Sequence, residues 1–186
     1  MNQLRIIGGE WKRRLIRFES VQGLRPTPDR VRETLFNWLM WEMGGANVLD
    51  LCAGSGALGL ESLSRGAAHC VFIETDRKQA LTLSHTLADL GAKTRSSVLH
   101  STAQQALTRL TGPFDVVFLD PPYALNLWTE LAMQCEPLLS PHAWIYIEAD
   151  RTLDSLVLPP TWILHRQTRA GTVHAGLYRR QSIILE

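Results

Sequence analysis

Residues 47–59 read Asn-Val-Leu-Asp-Leu-Cys-Ala-Gly-Ser-Gly-Ala-Leu-Gly, and this stretch decides the fold. Its apolar run predicts a short buried strand at 46–52. The glycines that follow predict a tight turn with bare main chain, and the residues after them predict a helix at 57–64. Glycines at this place are typical of a ligand crevice at the carboxyl edge of a parallel sheet.

The acid in this stretch helps to choose among nucleotide ligands. Gly54, Gly56 and Gly59 fit the dinucleotide spacing Gly-x-Gly-x-x-Gly, so spacing alone also allows NAD. Asp50, however, lies four residues before Gly54. A carboxylate there would repel a pyrophosphate but would suit a ligand with a cationic amino-acid end. S-adenosylmethionine has that end and no phosphate, so we expect it to be the cofactor.

Two further apolar runs also end in carboxylates. Residues 71–74 read Val-Phe-Ile-Glu, and an acid at a strand end can accept hydrogen bonds from both ribose hydroxyls. Residues 114–123 read Phe-Asp-Val-Val-Phe-Leu-Asp-Pro-Pro-Tyr. The two prolines remove two main-chain donors, which leaves the Asp120 carboxylate and the Pro121 carbonyl as acceptors beside the ring of Tyr123. Acceptors beside a stacking ring suit an exocyclic amine on a planar base.

These motifs, taken together, resemble a known family. Two more runs narrow the resemblance: Arg-Ile-Ile-Gly-Gly-x-Trp at 5–11, and Leu-Arg-Pro-Thr-x-x-Arg-Val-Arg-Glu-Thr-Leu-Phe-Asn-Trp-Leu at 24–39. The combination is similar to the bacterial 16S ribosomal RNA guanine-N2 methyltransferases that modify guanine 966, from about Leu4 to the carboxyl end. The resemblance implies an S-adenosylmethionine-dependent enzyme that methylates this guanine, with the small-subunit particle as substrate rather than naked RNA.

The residues and the resemblance together predict three groups of site residues. The catalytic group is Asp120, Pro121 and Tyr123. The cofactor group is Asp50, Ala53, Gly54, Ser55, Gly56, Glu74, Thr102 and Asp120. The RNA group is Arg5, Arg13, Arg25, Thr27, Arg30, Arg32 and Tyr123. Thr102 belongs to the cofactor group because it stands where the family often offers an asparagine to adenine.

The fold class predicted is α/β, a Rossmann-like methyltransferase. Strands at 69–75, 96–100, 114–120 and 143–148 alternate with helices at 77–90, 102–110 and 125–135. This alternation predicts a doubly wound, mostly parallel sheet. Segments 162–167 and 173–180 predict two antiparallel strands, which completes a seven-stranded sheet whose last strand is antiparallel. We expect one compact domain, with the methyltransferase part at 29–186.

The amino-terminal segment is predicted to be a basic, RNA-facing extension over residues 1–28. Strand-like runs at 4–7 and 14–18, joined through two glycines, predict a hairpin. Thr27 is the predicted cap of the next helix, whose apolar face carries Val31, Leu35, Trp38 and Leu39, with Arg30 and Arg32 pointing elsewhere.

The charge is unevenly distributed. Residues 1–32 hold eight Lys or Arg and three acids, against a net charge of +1 for the whole chain. Such an asymmetry indicates a docking surface for phosphate, although an ordinary solvated hairpin gives the same pattern.

Composition bounds the remaining possibilities. A chain of 186 residues with 45% apolar and 20% charged residues is typical of one soluble globular domain. No apolar run approaches the roughly 18 residues of a membrane span, and the first residues lack the apolar core of a signal peptide. Three widely spaced cysteines and six histidines show no ligand spacing. We therefore expect a cytoplasmic protein without metal, and a monomer.

Three alternatives stay open at this point. A methyltransferase with another substrate is the first: Asp-Pro-Pro-Tyr also serves enzymes that methylate amines of DNA or of other RNA, and a related Asn-Pro-Pro-Tyr serves protein glutamine. The DNA enzymes usually carry a recognition domain for which this chain has no room. A non-catalytic RNA-binding assembly factor would have no need of Asp50, Glu74 and Asp120. An NAD-dependent oxidoreductase would need a hydride-transfer acid or base near the crevice, and would leave residues 120–123 unexplained.

Overall fold

A computed structural model describes residues 1–182, so the last four residues of the predicted domain, 183–186, lie outside the described residues. The helices and strands follow in chain order: β1 Asn2–Arg5, β2 Leu15–Phe18, α1 Asp29–Trp38, β3 Asn47–Asp50, α2 Ala57–Ser64, β4 His69–Glu74, α3 Arg77–Asp89, β5 Ser96–His100, α4 Ala103–Leu107, β6 Phe114–Leu119, α5 Trp128–Cys135, β7 Leu139–Ala149, β8 Trp162–Ala170 and β9 Val173–Arg180.

Strands β3 to β9 form one seven-stranded sheet in the order β5-β4-β3-β6-β7-β9-β8. The pairs from β5 to β7 are parallel, and β9 lies antiparallel between β7 and β8. The predicted α/β, Rossmann-like sheet with an antiparallel last strand is confirmed. From β3 the chain winds outward to β5 and then returns to β6, so a crevice opens where the strand order reverses, outside the carboxyl ends of β3 and β6.

The two faces of the sheet bury two separate apolar cores. One core holds Val48, Phe118 and Tyr146 of the sheet beneath the amino-terminal segment and α1–α3. The other core holds Leu49, Val117 and their neighbours beneath α4 and α5. Because side chains alternate between faces along a strand, every second residue of a strand enters the same core.

The predicted hairpin is present as β1 and β2, paired antiparallel from Asn2↔Phe18 to Arg5↔Leu15. It begins two residues earlier than the sequence predicted. The main-chain nitrogens of Ile7 and Gly8 donate to the Glu61 carboxylate over 3.0 and 2.8 Å. Since Glu61 is fully buried in α2, these bonds fix the segment after β1 to the body of the protein.

Several elements differ in their bounds from the prediction: α4 ends at Leu107 rather than at 110, β7 spans Leu139–Ala149 rather than 143–148, and β8 extends to Ala170 rather than to 167. Two further departures have a local cause. Thr27 does not cap α1: Pro28 is the capping residue, without a side-chain hydrogen bond, and the Thr27 hydroxyl is used elsewhere. Helix α5 begins at Trp128 rather than at 125, because Asn126 takes a left-handed conformation with φ of 49° that interrupts the helical path. No helix within residues 1–182 is long and apolar enough to cross a membrane.

Candidate active site

The turn after β3 is shaped by glycines in left-handed conformations. Gly54 and Gly56 have φ of 54° and 81°, angles that L side chains rarely adopt. The nitrogen of Gly56 donates to the carbonyl of Ala53 over 2.8 Å, and Gly56 starts α2. Gly59 serves packing instead, since a Cβ there would stand 2.2 Å from the Phe72 ring. The turn therefore presents main chain, not side chains, to the crevice.

Asp50 is buried at the end of β3 and bonds to the first turn of α2. Its side chain is 2% exposed, and Oδ2 accepts a hydrogen bond from the Gly59 nitrogen over 3.0 Å. Burial raises the pKa of Asp50 to about 7; the bond from Gly59 opposes this rise and the charge of Glu74 adds to it. The Asp50 carboxyl therefore holds the first turn of α2, and its contact with the cofactor remains a prediction.

Glu74 closes the crevice on the other side of the turn. Its Oε2 accepts from the Gly54 nitrogen over 2.7 Å, and its Oε1 accepts from the Asp76 nitrogen over 2.8 Å. Burial raises the pKa of Glu74, while these main-chain donors lower it. Each carboxylate oxygen has a further lone pair, so the partly exposed group keeps capacity for ribose hydroxyls.

The remaining residues of the cofactor group line or support the same edge. Ala53 and Ser55 are buried within the turn, where Ser55 Oγ accepts from the Ala57 nitrogen over 3.3 Å. Thr102 is exposed after β5 and caps α4, its Oγ1 accepting from the Gln105 nitrogen over 3.2 Å. Its hydroxyl proton stays available, and its contact with adenine remains a prediction.

Asp120 and Pro121 follow β6 at the centre of the edge. Within residues 1–182 no protein donor bonds to the Asp120 carboxylate or to the Pro121 carbonyl, so both are free acceptors. The pKa of Asp120 lies well above its usual range, because the group is desolvated and because the charges of Glu148 and Asp50 lie nearby. The negative charge of Asp120 is therefore destabilised by the two neighbouring carboxylates.

Tyr123 stands over the same edge as a half-buried ring. One side of the ring packs on Trp128, with centroids 5.9 Å apart and an interplanar angle of 28°. Trp128 is completely buried, and Arg151 lies 4.5 Å from its centroid. The Tyr123 hydroxyl donates to Glu148 Oε1 over 3.3 Å. These contacts hold the ring where a base could stack on it.

Glu148 is a residue of this site that the sequence reasoning missed. It lies near the end of β7, is 3% exposed, and accepts hydrogen bonds from Thr27, Tyr123 and Tyr146. A signal was present, because the apolar run 143–147 also ends in an acid, as β3, β4 and the 114–119 run do. An apolar run that ends in an acid thus also predicts Glu148 at this edge of the sheet.

The predicted RNA group divides into two sets. Arg5, Arg13, Arg25 and Arg30 are exposed. Thr27 is 4% exposed, and its hydroxyl donates to Glu148 Oε2 over 2.8 Å, so its prediction as a direct RNA contact is wrong. Arg32 is 1% exposed, so its prediction as an RNA contact is wrong: the guanidinium donates to the Arg5 carbonyl over 3.1 and 3.2 Å and pairs with Asp29 and Glu61.

Arg32 is buried because the amino-terminal segment folds over α1. The same fully buried Glu61 accepts hydrogen bonds from the main-chain nitrogens of Ile7 and Gly8 and forms an ion pair with Arg65. Sequence spacing predicted that Arg32 points away from the apolar face of the helix, and it could not show that the amino-terminal segment covers this side chain. Within residues 1–182, no cluster of three or more His, Cys, Asp or Glu side chains is placed to hold a metal ion.

A family model described as "Conserved hypothetical protein 95" matches residues 4–179. The chain belongs to this family. It is 43% identical, over 97% of its length and 91% of the relative's, to ribosomal RNA small subunit methyltransferase D of Escherichia coli.

Solved structures agree with the fold. A structure from Escherichia coli has 43% sequence identity and a TM-score of 0.88, and the match covers 97% of this chain and 99% of that one. An RNA methyltransferase from Salinibacter ruber, in complex with S-adenosyl-L-homocysteine, shares the fold at 16% identity with a TM-score of 0.66, covering 87% of this chain and 97% of that one. Both structures thus share the fold of this chain.

Proposed function

We propose that this protein transfers a methyl group from S-adenosylmethionine to the N2 amine of guanine 966 in 16S ribosomal RNA, within the small-subunit particle. The observation that carries the proposal is the pair of free acceptors, the Asp120 carboxylate and the Pro121 carbonyl, beside the ring of Tyr123 at the crevice. The 43% identity to the Escherichia coli ribosomal RNA methyltransferase supports RNA of the small subunit as the substrate.

The hydrogen-bonding groups that line the crevice match those of the cofactor. The turn at 53–56 offers bare main chain, and Glu74 offers carboxylate acceptors for ribose hydroxyls. The buried acids at this edge suit the cationic amino-acid end of S-adenosylmethionine and disfavour a pyrophosphate. Bound here, the cofactor would supply an electrophilic methyl group on its sulfonium. The Salinibacter ruber RNA methyltransferase of the same fold, in complex with S-adenosyl-L-homocysteine, supports this choice.

The acceptors of residues 120–121 orient the amine. The guanine amine is a poor nucleophile, because its lone pair is delocalised into the ring. If Asp120 and the Pro121 carbonyl each accept one N–H, the nitrogen is turned so that its lone pair faces the methyl group. Holding two reactants in this way can lower the barrier by about 7 to 11 kcal/mol. We therefore attribute most of the rate acceleration to orientation.

Asp120 also has the properties of a proton acceptor. Its raised pKa brings the carboxylate closer to the range in which it can take the proton that leaves the methylated amine. The amine becomes acidic only as the new bond forms, so proton transfer follows or accompanies methyl transfer. The carboxylate must be ionised beforehand to accept the N–H.

Tyr123 and the amino-terminal segment bind the substrate. A paired base cannot reach the floor of this crevice, so the guanine must be extruded or lie in a loop, and the exposed face of Tyr123 then stacks on it. Arg5, Arg13, Arg25 and Arg30 are exposed and would contact phosphates. Arg25 and Arg30 flank Thr27, whose hydroxyl reaches Glu148 at the crevice. A small domain has little surface for reading sequence, which favours the folded particle over naked RNA.

The experiment is methyl transfer from radiolabelled S-adenosylmethionine to three substrates in parallel. They are small ribosomal subunits from a strain that lacks this enzyme, free 16S ribosomal RNA, and duplex DNA. We expect label on N2 of one guanine in the subunit, and none with an Asp120→Ala enzyme. Label on DNA alone would identify a DNA amino-methyltransferase. Cofactor binding without transfer to any substrate would identify a non-catalytic assembly factor.

A further inference from the structure

Glu148 is a buried carboxylate to which the proposed reaction assigns no step. It lies on β7, next to the strand that delivers Asp120. The β6–β7 register pairs Phe118 with Tyr146 and Leu119 with Ile147, so the next pair along the two strands is Asp120 and Glu148. Neighbouring strands lie about 4.8 Å apart. The two carboxylates are therefore neighbours at the crevice.

Three hydroxyls converge on Glu148 from three separate parts of the chain. The Thr27 hydroxyl donates to Oε2 over 2.8 Å, from the loop that precedes α1. The Tyr146 hydroxyl donates to Oε2 over 2.8 Å, from β7 itself. The Tyr123 hydroxyl donates to Oε1 over 3.3 Å, from the Asp-Pro-Pro-Tyr turn. A single side chain thus joins the amino-terminal substrate-side loop to the stacking ring.

The main chain of Glu148 holds the same ring by a second route. Its carbonyl accepts from Trp128 Nε1 over 2.9 Å, and Trp128 is the surface on which Tyr123 packs. Both the hydroxyl end and one face of Tyr123 therefore depend on this residue. A buried, fully hydrogen-bonded carboxylate is rigid, because each donor would lose its only partner if the carboxylate moved.

From this geometry we infer that Glu148 is a positioning residue for methyl transfer: it fixes Tyr123 and the Thr27 loop around the target base, and its charge lies against Asp120. The inference rests on the proposed function. We assign Glu148 no contact with the reacting atoms, because both of its carboxylate oxygens already accept hydrogen bonds from side-chain hydroxyls.

The pH dependence of activity distinguishes the positioning role from a purely structural one. A purely structural role of Glu148 would leave this dependence unchanged, whereas the charge of Glu148 should affect it. The pKa of Asp120 is raised by burial first, then by Glu148 and Asp50. The other polar groups around the pair are Cys52 after β3, Tyr123, Tyr146 and Thr27. Removing the charge of Glu148 lowers the pKa of Asp120, so Asp120 stays ionised to lower pH. The acidic limb of the activity profile must then move to lower pH.

The test compares Glu148→Gln with the wild-type enzyme on small subunits. We expect kcat to fall by about 10- to 100-fold, the loss that follows a displacement of about 1 Å in a reacting geometry, with the affinity for S-adenosylhomocysteine unchanged. The acidic limb should shift to lower pH in the same variant. Thr27→Val, which removes one donor and no charge, should lower kcat without that downward shift, and Thr27→Ser should restore it.

Glu136→Gln is the matched control. Glu136 also accepts side-chain hydrogen bonds, from Thr161, Trp162 and Arg180, but it joins the segment after α5 to β8 and β9 rather than to the crevice. We expect a lower Tm with unchanged kcat and an unchanged pH profile. Thermal unfolding of every variant separates loss of folding from loss of rate.

The outcomes separate the inference from the function on which it rests. If the wild-type enzyme methylates subunits and Glu148→Gln has the same kcat and the same acidic limb, the positioning role is overturned and the proposed function stands. If the folded wild-type enzyme binds cofactor but methylates no nucleic acid, the proposed function fails, and the inference fails with it.

Discussion

The main-chain nitrogen of Gly54 donates a hydrogen bond to Glu74 Oε2 over 2.7 Å, joining the turn after β3 to the end of β4. One carboxylate thus shapes the turn and also faces the place where a ribose would lie. The turn is in contact with the amino-terminal segment as well, because a Cβ on Gly54 would stand 2.6 Å from Leu24 Cδ1. The turn after β3 and the loop before α1 are therefore packed against each other.

Glu74→Ala should weaken cofactor binding. The variant loses the ribose acceptors and the tie to Gly54, and hydrogen bonds to a charged group are worth about 1.5 to 3 kcal/mol. We expect the Kd for S-adenosylhomocysteine to rise by about 10- to 150-fold in calorimetric titration. Glu42→Ala, an exposed acid near the opposite edge of the sheet, is the control and should bind normally. Equal affinities in both variants would contradict the assignment of Glu74.

Tyr123→Ala should reduce turnover of RNA without affecting cofactor affinity. Stacking of a base on an aromatic ring is worth about 1 to 3 kcal/mol, so kcat/KM should fall by about 5- to 150-fold. Tyr123→Phe keeps the ring and loses the bond to Glu148, so it should retain more activity than Tyr123→Ala. Steady-state methyl transfer to small subunits measures both. A Tyr123→Ala enzyme with wild-type turnover would exclude the stacking role.

Arg30→Ala and Arg25→Ala should weaken RNA binding through the phosphates. Each neutralised phosphate contact should flatten the slope of log K against log salt by about 0.7 to 0.9. Binding to a 16S ribosomal RNA fragment, measured from low to moderate salt, gives the slope. If a variant binds with the wild-type slope, its arginine does not contact phosphate.

Arg32→Ala should act on stability, in contrast to the exposed arginines. The change leaves Glu61 buried with one cationic partner fewer, and breaking a buried pair in this way costs about 3 to 5 kcal/mol. We expect a markedly lower Tm in thermal unfolding, and an unchanged salt slope for the protein that remains folded. Arg17→Ala, an exposed arginine on β2, is the control for stability. A normal Tm for Arg32→Ala would show that the buried network is not needed for folding.

Asp50 should make stability fall as pH rises. Its folded pKa of about 7 lies above the usual value of 3.8, so the folded state holds its proton more tightly than the unfolded state. The stabilisation is complete below the unfolded pKa and is lost as pH rises through about 7. Asp50→Asn removes this dependence and keeps an acceptor for the Gly59 nitrogen.

Denaturant unfolding at several pH values tests the sign. Relative to Asp50→Asn, the wild-type protein should lose about 2 to 3 kcal/mol of unfolding free energy between pH 5 and pH 8. If the wild-type protein instead loses unfolding free energy relative to Asp50→Asn as pH falls, Asp50 is stabilised as a carboxylate.

The sequence by itself determined the sheet and most of the crevice. Apolar runs that end in acids located β3, β4 and β6, and the glycines after β3 located the turn, because these features are local and follow the period of the strand. Helix α2 and strand β5 have the predicted bounds. The acceptors at 120–121 and the ring of Tyr123 followed from the chemistry of the four consecutive residues at 120–123.

Only the tertiary structure decided how distant segments meet. The sequence placed Arg32 on a basic surface and Thr27 at a helix cap, whereas folding buries both, one against Glu61 in α2 and the other against Glu148 in β7. These partners are 29 and 121 residues away along the chain. A side chain's charge and spacing state what it can bond, but the partner it bonds depends on which segments the fold packs together, and no local pattern records that.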